Sequence, residues 1–237
     1  MSGGVEPIAL TSSKPSLNLH QNTTTTNLFS FQNLNAIALI IILASSGMVG
    51  VQDLSFVLLS FFYIFFFMSK LAFPPLSTTP DPPIFGAHTR LLIAYVSLGA
   101  IIGILLPVGY IVHGVLQGDK EGIKAAAPHV FLLASQIVME SVSFNGGYSL
   151  PIRVLVPVVY NSMRMYAILD WVKSEIMKRN EMGNDGISDK RLVVGISLAV
   201  VNLGFWGFNL FGFLLPFYLP KAFKKYYAFT DNDDKQS

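Results

Sequence analysis

Apolar residues in this chain fall into long runs, and polar residues gather in the short gaps between them. Six runs stand out, at about 34–51, 54–69, 91–116, 125–144, 150–171 and 192–219. Each is close to the ~20 residues a helix needs to cross a bilayer. The pattern predicts an all-α fold, a polytopic integral membrane helix bundle of about six apolar helices, four to six of them true spans. Residues 1–33 are rich in Ser, Thr and Asn and read as a disordered polar tail, and 229–237 as a polar acidic one. Gly50-Val51-Gln52-Asp53 reads as the tight turn of a hairpin between the first two runs. Phe73–Gly86 holds five prolines and reads as a semi-rigid extended loop. Pro107, with Gly109 and Gly114, predicts a kink or an early end in the third run. Pro128 is placed in the first turn of the fourth, where proline is tolerated. The fifth helix is expected to leave the membrane and end near Lys178, with Ser188 capping the sixth.

Polar residues inside the runs carry the next layer. On a helix, Arg153, Pro157, Asn161 and Arg164 share one face, and lipid tails will not solvate such a stripe. Runs four and five read as a hairpin about Gly146-Gly147. Glu140 and Arg153 are then equidistant from the turn, as are His129 and Arg164. The expectation is an ion pair between Glu140 and Arg153, with His129, Asn161 and Arg164 completing an intramembrane polar cluster. Gly99 and Gly103 fit the small-xxx-small pattern that lets two helices approach closely. Gly195, Asn202, Asn209 and Pro216 recur every seven residues and predict a second packing seam.

Composition narrows the class. Only 13% of the 237 residues are charged and 52% are hydrophobic, against about 25% charged in a soluble domain. A net charge of +2 offers no field for nucleic acid. The chain has no Cys, which excludes disulfides and thiolate chemistry. Basic residues outside the spans divide seven and seven between the two sides, so charge does not orient the bundle. The four His are scattered, and the chain lacks a phosphate loop, a His-x-x-x-His pair and a Gly-x-Ser-x-Gly turn. No catalytic residue, metal or cofactor is expected. The expected partners are the lipid bilayer and, through small-residue helix faces, other membrane proteins or a second copy of the chain.

One region carries a family likeness. Pro128-His129-Val130-Phe131, Pro151-Ile152-Arg153, the core Val156-Pro157-Val158-Val159-Tyr160-Asn161-Ser162 and the closing Asp170-Trp171 together resemble a plant family of uncharacterised multi-span membrane proteins. The likeness is concentrated in residues 128–175. That family's core continues with two adjacent basic residues, where this chain has Met163-Arg164. The resemblance implies a plant integral membrane protein and no particular activity. The expected function is a non-enzymatic structural or assembly component of a membrane, an endomembrane before a plastid one. A small transporter using the polar face of helix 150–171 is the alternative, and an intramembrane enzyme ranks third.

Overall fold

The computed structural model describes residues 21–75, 89–181 and 188–233. They form six continuous helices, with no strand among the described residues: α1 (Gln21–Ser45), α2 (Val51–Ala72), α3 (89–117), α4 (Lys120–Asn145), α5 (Leu150–Glu181) and α6 (188–233). Residues 1–20 of the polar tail, most of the proline-rich loop, 182–187 and 234–237 lie outside the described residues.

The helices run up and down. Asn33 near the start of α1 donates to Ser141 Oγ near the end of α4 at 2.5 Å. Ser149, which opens α5, donates to the carbonyl of Phe73 just past α2 at 2.8 Å. Tyr226 of α6 reaches the carbonyl of Pro74 at 3.0 Å. These contacts define one end of the bundle. At the other end, Asp119 joins α3 to α4 and bonds Lys178 and Arg191 from α5 and α6.

Four helical stretches are long and apolar enough to cross a membrane: Val51–Ala72, Ile93–Gln117, Lys120–Asn145 and Lys190–Ala228. In α1 only Phe31–Ser45 is apolar, which is short, and α5 is too polar over its length. The fold is therefore a multi-pass helix bundle with six helices and four clear span candidates. Its layering follows polarity. α4 and α5 pack on each other and form the centre, while α1, α2, α3 and α6 surround them. In α4, 72% of the apolar window is buried, against 22–33% in the other three candidates. The large exposed apolar side chains sit mainly on the outer helices, among them Leu59, Phe67, Leu116, Phe208 and Phe211. That is the surface lipid would cover.

Several boundaries differ from the sequence expectation, each for a local reason. α1 begins at Gln21, so the last part of the expected polar tail is helical. The hairpin turn lies at 46–50, not 50–53. Gly47 adopts φ 69°, open to glycine, and Asp53 becomes part of the first turn of α2, where a carboxylate suits the helix dipole. α4 starts at Lys120 because Asp119 caps it, its side chain accepting from Gly122 N at 3.1 Å. Pro128 is consequently inside the helix and not in its first turn. α3 passes through Pro107 without ending, and a π-helical stretch at Ile101–Leu105 precedes it. α6 also carries a π-helical stretch, Phe208–Tyr218. That stretch changes the helical period, so the heptad seam is lost after Asn209. Gly195, Asn202 and Asn209 are buried, whereas Pro216 is exposed.

Candidate polar core and end cleft

The interior polar residues are organised by what the backbone leaves unpaired. Proline has no N–H, so Pro107 cannot bond the carbonyl four residues back, which is Gly103. His129 of α4 takes that place: its Nε2 lies 3.1 Å from the Gly103 oxygen. His129 is fully buried, with the Trp171 ring stacked 6.3 Å away. Nε2 therefore carries the proton and donates across the helix interface. Gly103 must be small for a separate reason. A methyl there would lie 2.6 Å from Leu133 Cδ2 and 2.7 Å from the Trp206 indole. Gly99, one turn earlier, faces Phe205 and Trp206.

Trp206 is the hub of a second group. The Arg164 guanidinium sits 3.8 Å from its ring centroid, a cation–π contact between α5 and α6. Arg164 Nη2 also donates to Asn161 Oδ1 at 2.7 Å, and Asn161 Nδ2 donates to the Trp206 carbonyl at 3.2 Å. Trp206 Nε1 donates to Asn202 Oδ1 at 3.2 Å. Arg164 and Asn161 are both fully buried. Nearby, Tyr95 donates to Asn209 Oδ1 at 2.7 Å, joining α3 to α6.

Glu140 and Arg153 do not pair. Among the described residues Glu140 accepts from Gln136 Nε2 at 2.6 Å, while the Arg153 guanidinium lies 5.7 Å from the Phe144 ring. Equal distance from the turn fixed their depth but not the direction in which each side chain points. Glu140 lies instead within electrostatic reach of Arg164. His129, on the helix that faces α5, lies within electrostatic reach of Arg164. Among the five expected members, Asn161 and Arg164 are hydrogen-bonded to each other, and the expected Glu140–Arg153 ion pair is absent among the described residues. Exchanging the charges, Glu140→Arg with Arg153→Glu, is expected not to restore the protein level that either single change lowers. Restoration in the double variant would show a pair after all.

A third group, at the Asp119 end, was not legible in the sequence. Tyr110 Oη donates to Glu175 Oε1 at 2.6 Å, and Trp171 Nε1 donates to the same oxygen at 3.2 Å. Glu175 is 1% exposed. A methyl on Gly195 would lie 2.8 Å from both Tyr110 Oη and Glu175 Cδ, so this glycine makes room for the carboxylate. Asp119 bonds Lys178 Nζ at 2.5 Å and Arg191 Nε at 2.6 Å, and the Arg191 guanidinium lies 4.2 Å from the Tyr110 ring. Burial alone would raise the Asp119 carboxyl. The hydrogen bonds from Lys178, Arg191 and the Gly122 N–H outweigh it and hold the pKa at about 2. These partners lie 59 to 81 residues apart in sequence, so spacing carried no signal of them. The one local cue was Trp171 four residues before Glu175, a single helical turn.

Beside this network a cleft of about 390 Å³ opens between the start of α2, the start of α4 and the last turns of α5. Among the described residues no three His, Cys, Asp or Glu side chains are grouped to hold a metal ion.

No curated protein and no solved structure matches the chain. A family described as "Domain of unknown function (DUF7733)" matches residues 29–227, which reaches into all six helices and includes all three polar groups, and the chain belongs to that family.

Proposed function

We propose that this protein is a non-enzymatic structural or assembly component of a membrane, acting through helix packing and its loops. One observation carries the reading: buried polar side chains on the central helices bond or stack on groups of neighbouring helices. His129 holds the Gly103 carbonyl of α3, Asn161 and Arg164 hold Trp206 of α6, and Tyr110 holds Glu175 of α5. Between helices in lipid, polar bonds and close small-residue contacts are what drives association, because lipid tails are as apolar as leucine. A carrier would keep such groups available to its cargo.

A small transporter is the second reading. It is favoured by Arg164, whose Nε and Nη1 have no hydrogen-bond partner although the residue is fully buried. Plant origin belongs to the same proposal and rests on the resemblance in residues 128–175, and an internal membrane is the proposed residence.

The native chain has no Cys, which makes one test clean. Single cysteines at positions 153, 157, 161 and 164 are exposed, one at a time, to a membrane-impermeant thiol reagent. Protection at 157, 161 and 164 is expected from a packed interior. Ready labelling at 161 and 164 would replace the scaffold reading with an aqueous path.

A further inference from the structure

The cleft at the Asp119 end has an unbalanced lining. Four carboxylates contribute to it, Asp53, Glu121, Asp170 and Glu175, against two lysines, Lys124 and Lys178. Lys178 is already committed to Asp119 at 2.5 Å. Asp170 meets Lys173 only at 3.4 Å on open surface, its side chain 76% exposed. Asp53 and Asp170 lie within electrostatic reach of each other, so two like charges face one another at the mouth. Deeper in, Glu175 is 1% exposed and uses one oxygen for Tyr110 and Trp171. Its other oxygen, Oε2, is buried and has no hydrogen-bond partner. A buried carboxylate oxygen without a donor is costly, and it is the strongest kind of acceptor a site can offer.

We infer that this cleft binds a small primary ammonium, with Glu175 Oε2 as the anchoring acceptor and Asp53 and Asp170 drawing the cation to the mouth. The chemistry selects the class. Carboxylates this dispersed do not converge on a metal ion. A primary ammonium presents three donors on one charge, so it can bond a single deep oxygen while its substituent fills the rest of the space. The cleft volume is in the usual range for an organic ligand. Its walls also include Pro128, Met163 and Ala167, which suit a short carbon chain. Such an ammonium has two sources: the headgroup of an ethanolamine phospholipid, or a free amine in the aqueous phase. The inference is independent of the scaffold reading.

The test is calorimetric titration of the full chain in detergent micelles with ethanolammonium chloride, against sodium chloride at matched ionic strength. Saturable binding is expected, weakened about tenfold or more in Glu175→Gln, the loss of one charge-assisted hydrogen bond. The double variant Asp53→Asn with Asp170→Asn removes only charges near the mouth and is expected to bind more weakly as well; should Glu175→Gln fail to fold, this variant decides. Tetramethylammonium, which has no N–H, is expected to bind far less tightly. Repeating the titration in nanodiscs separates the sources. Binding in phosphatidylcholine discs but not in phosphatidylethanolamine discs identifies the lipid headgroup as occupant. Equal binding in both identifies the free amine. No saturable binding in micelles or in either disc would overturn the inference, as would unchanged affinity in the variants.

Discussion

Replacing Trp206 with alanine is expected to lower the unfolding free energy by about 3–5 kcal/mol, read as a shift in reversible denaturation in mixed micelles. The indole fills the space that Gly103 and Gly99 leave open on α3. It also provides the face on which the buried Arg164 guanidinium rests, and a desolvated cation–π contact is worth about 2 kcal/mol. Its Nε1 engages Asn202. The alanine variant leaves a cavity and a buried charge with less around it, so the losses share one cause and do not add. Trp206→Phe keeps a ring on Arg164 and forfeits the N–H, and its cost is expected to be nearer 1 kcal/mol. A loss below about 1 kcal/mol for Trp206→Ala would show that α5 and α6 are held together elsewhere.

Asp119→Ala is expected to cost about 3 kcal/mol in the same measurement, because one side chain serves three partners. It caps α4 through the Gly122 N–H and accepts from Lys178 and Arg191. Those two cations are only 20% and 11% exposed, so removing the carboxylate leaves both partly buried and unpaired. Asp119→Asn retains the cap and loses the charge, and a smaller loss is expected. The same group sets an acid limit. Its folded pKa of about 2 lies below the unfolded value of about 3.9. Its contribution is therefore complete above about pH 4 and is lost as the pH falls towards 2. In Asp119→Asn this part of the acid sensitivity disappears; an unchanged acid profile would show that the ion pairs do not stabilise the fold.

The helices could be read from the chain because each lipid-length apolar run must satisfy its own backbone. The centre was harder. Residues 150–171 read as one of six apolar runs, four to six of them true spans, and α5 proves to be the polar partner of α4 at the centre of the bundle. Its buried Arg164, Asn161 and Glu175 are what make it unfit to face lipid. Equal distance from the 146–147 turn is compatible with the electrostatic reach between His129 and Arg164, but it does not make an ion pair of Glu140 and Arg153. A turn sets height along a helix, whereas azimuth is set by packing, here by Gln136 taking the carboxylate first. The heptad of small and amide residues on α6 held as a buried seam up to Asn209. Its break lies in a π-helical stretch that residue spacing does not announce. The Asp119 network leaves no mark in residue spacing because it is assembled by the fold: its members come from α3, the α3–α4 junction, α5 and α6.

The length of α6 has a consequence for where the bundle rides. Lys190–Ala228 is 39 residues of helix, about 58 Å at 1.5 Å per residue, nearly twice the ~30 Å of hydrocarbon that a spanning helix crosses. Residues 192–219 carry no charge, while Arg191 and Lys221 bracket them. The helix is thus a depth gauge that fixes both water lines from one element. In the proposed membrane setting, Arg191 sets the Asp119 network at the first line. At the second, Tyr226 fastens to Pro74, which in the same setting pins the end of α2 to the opposite face.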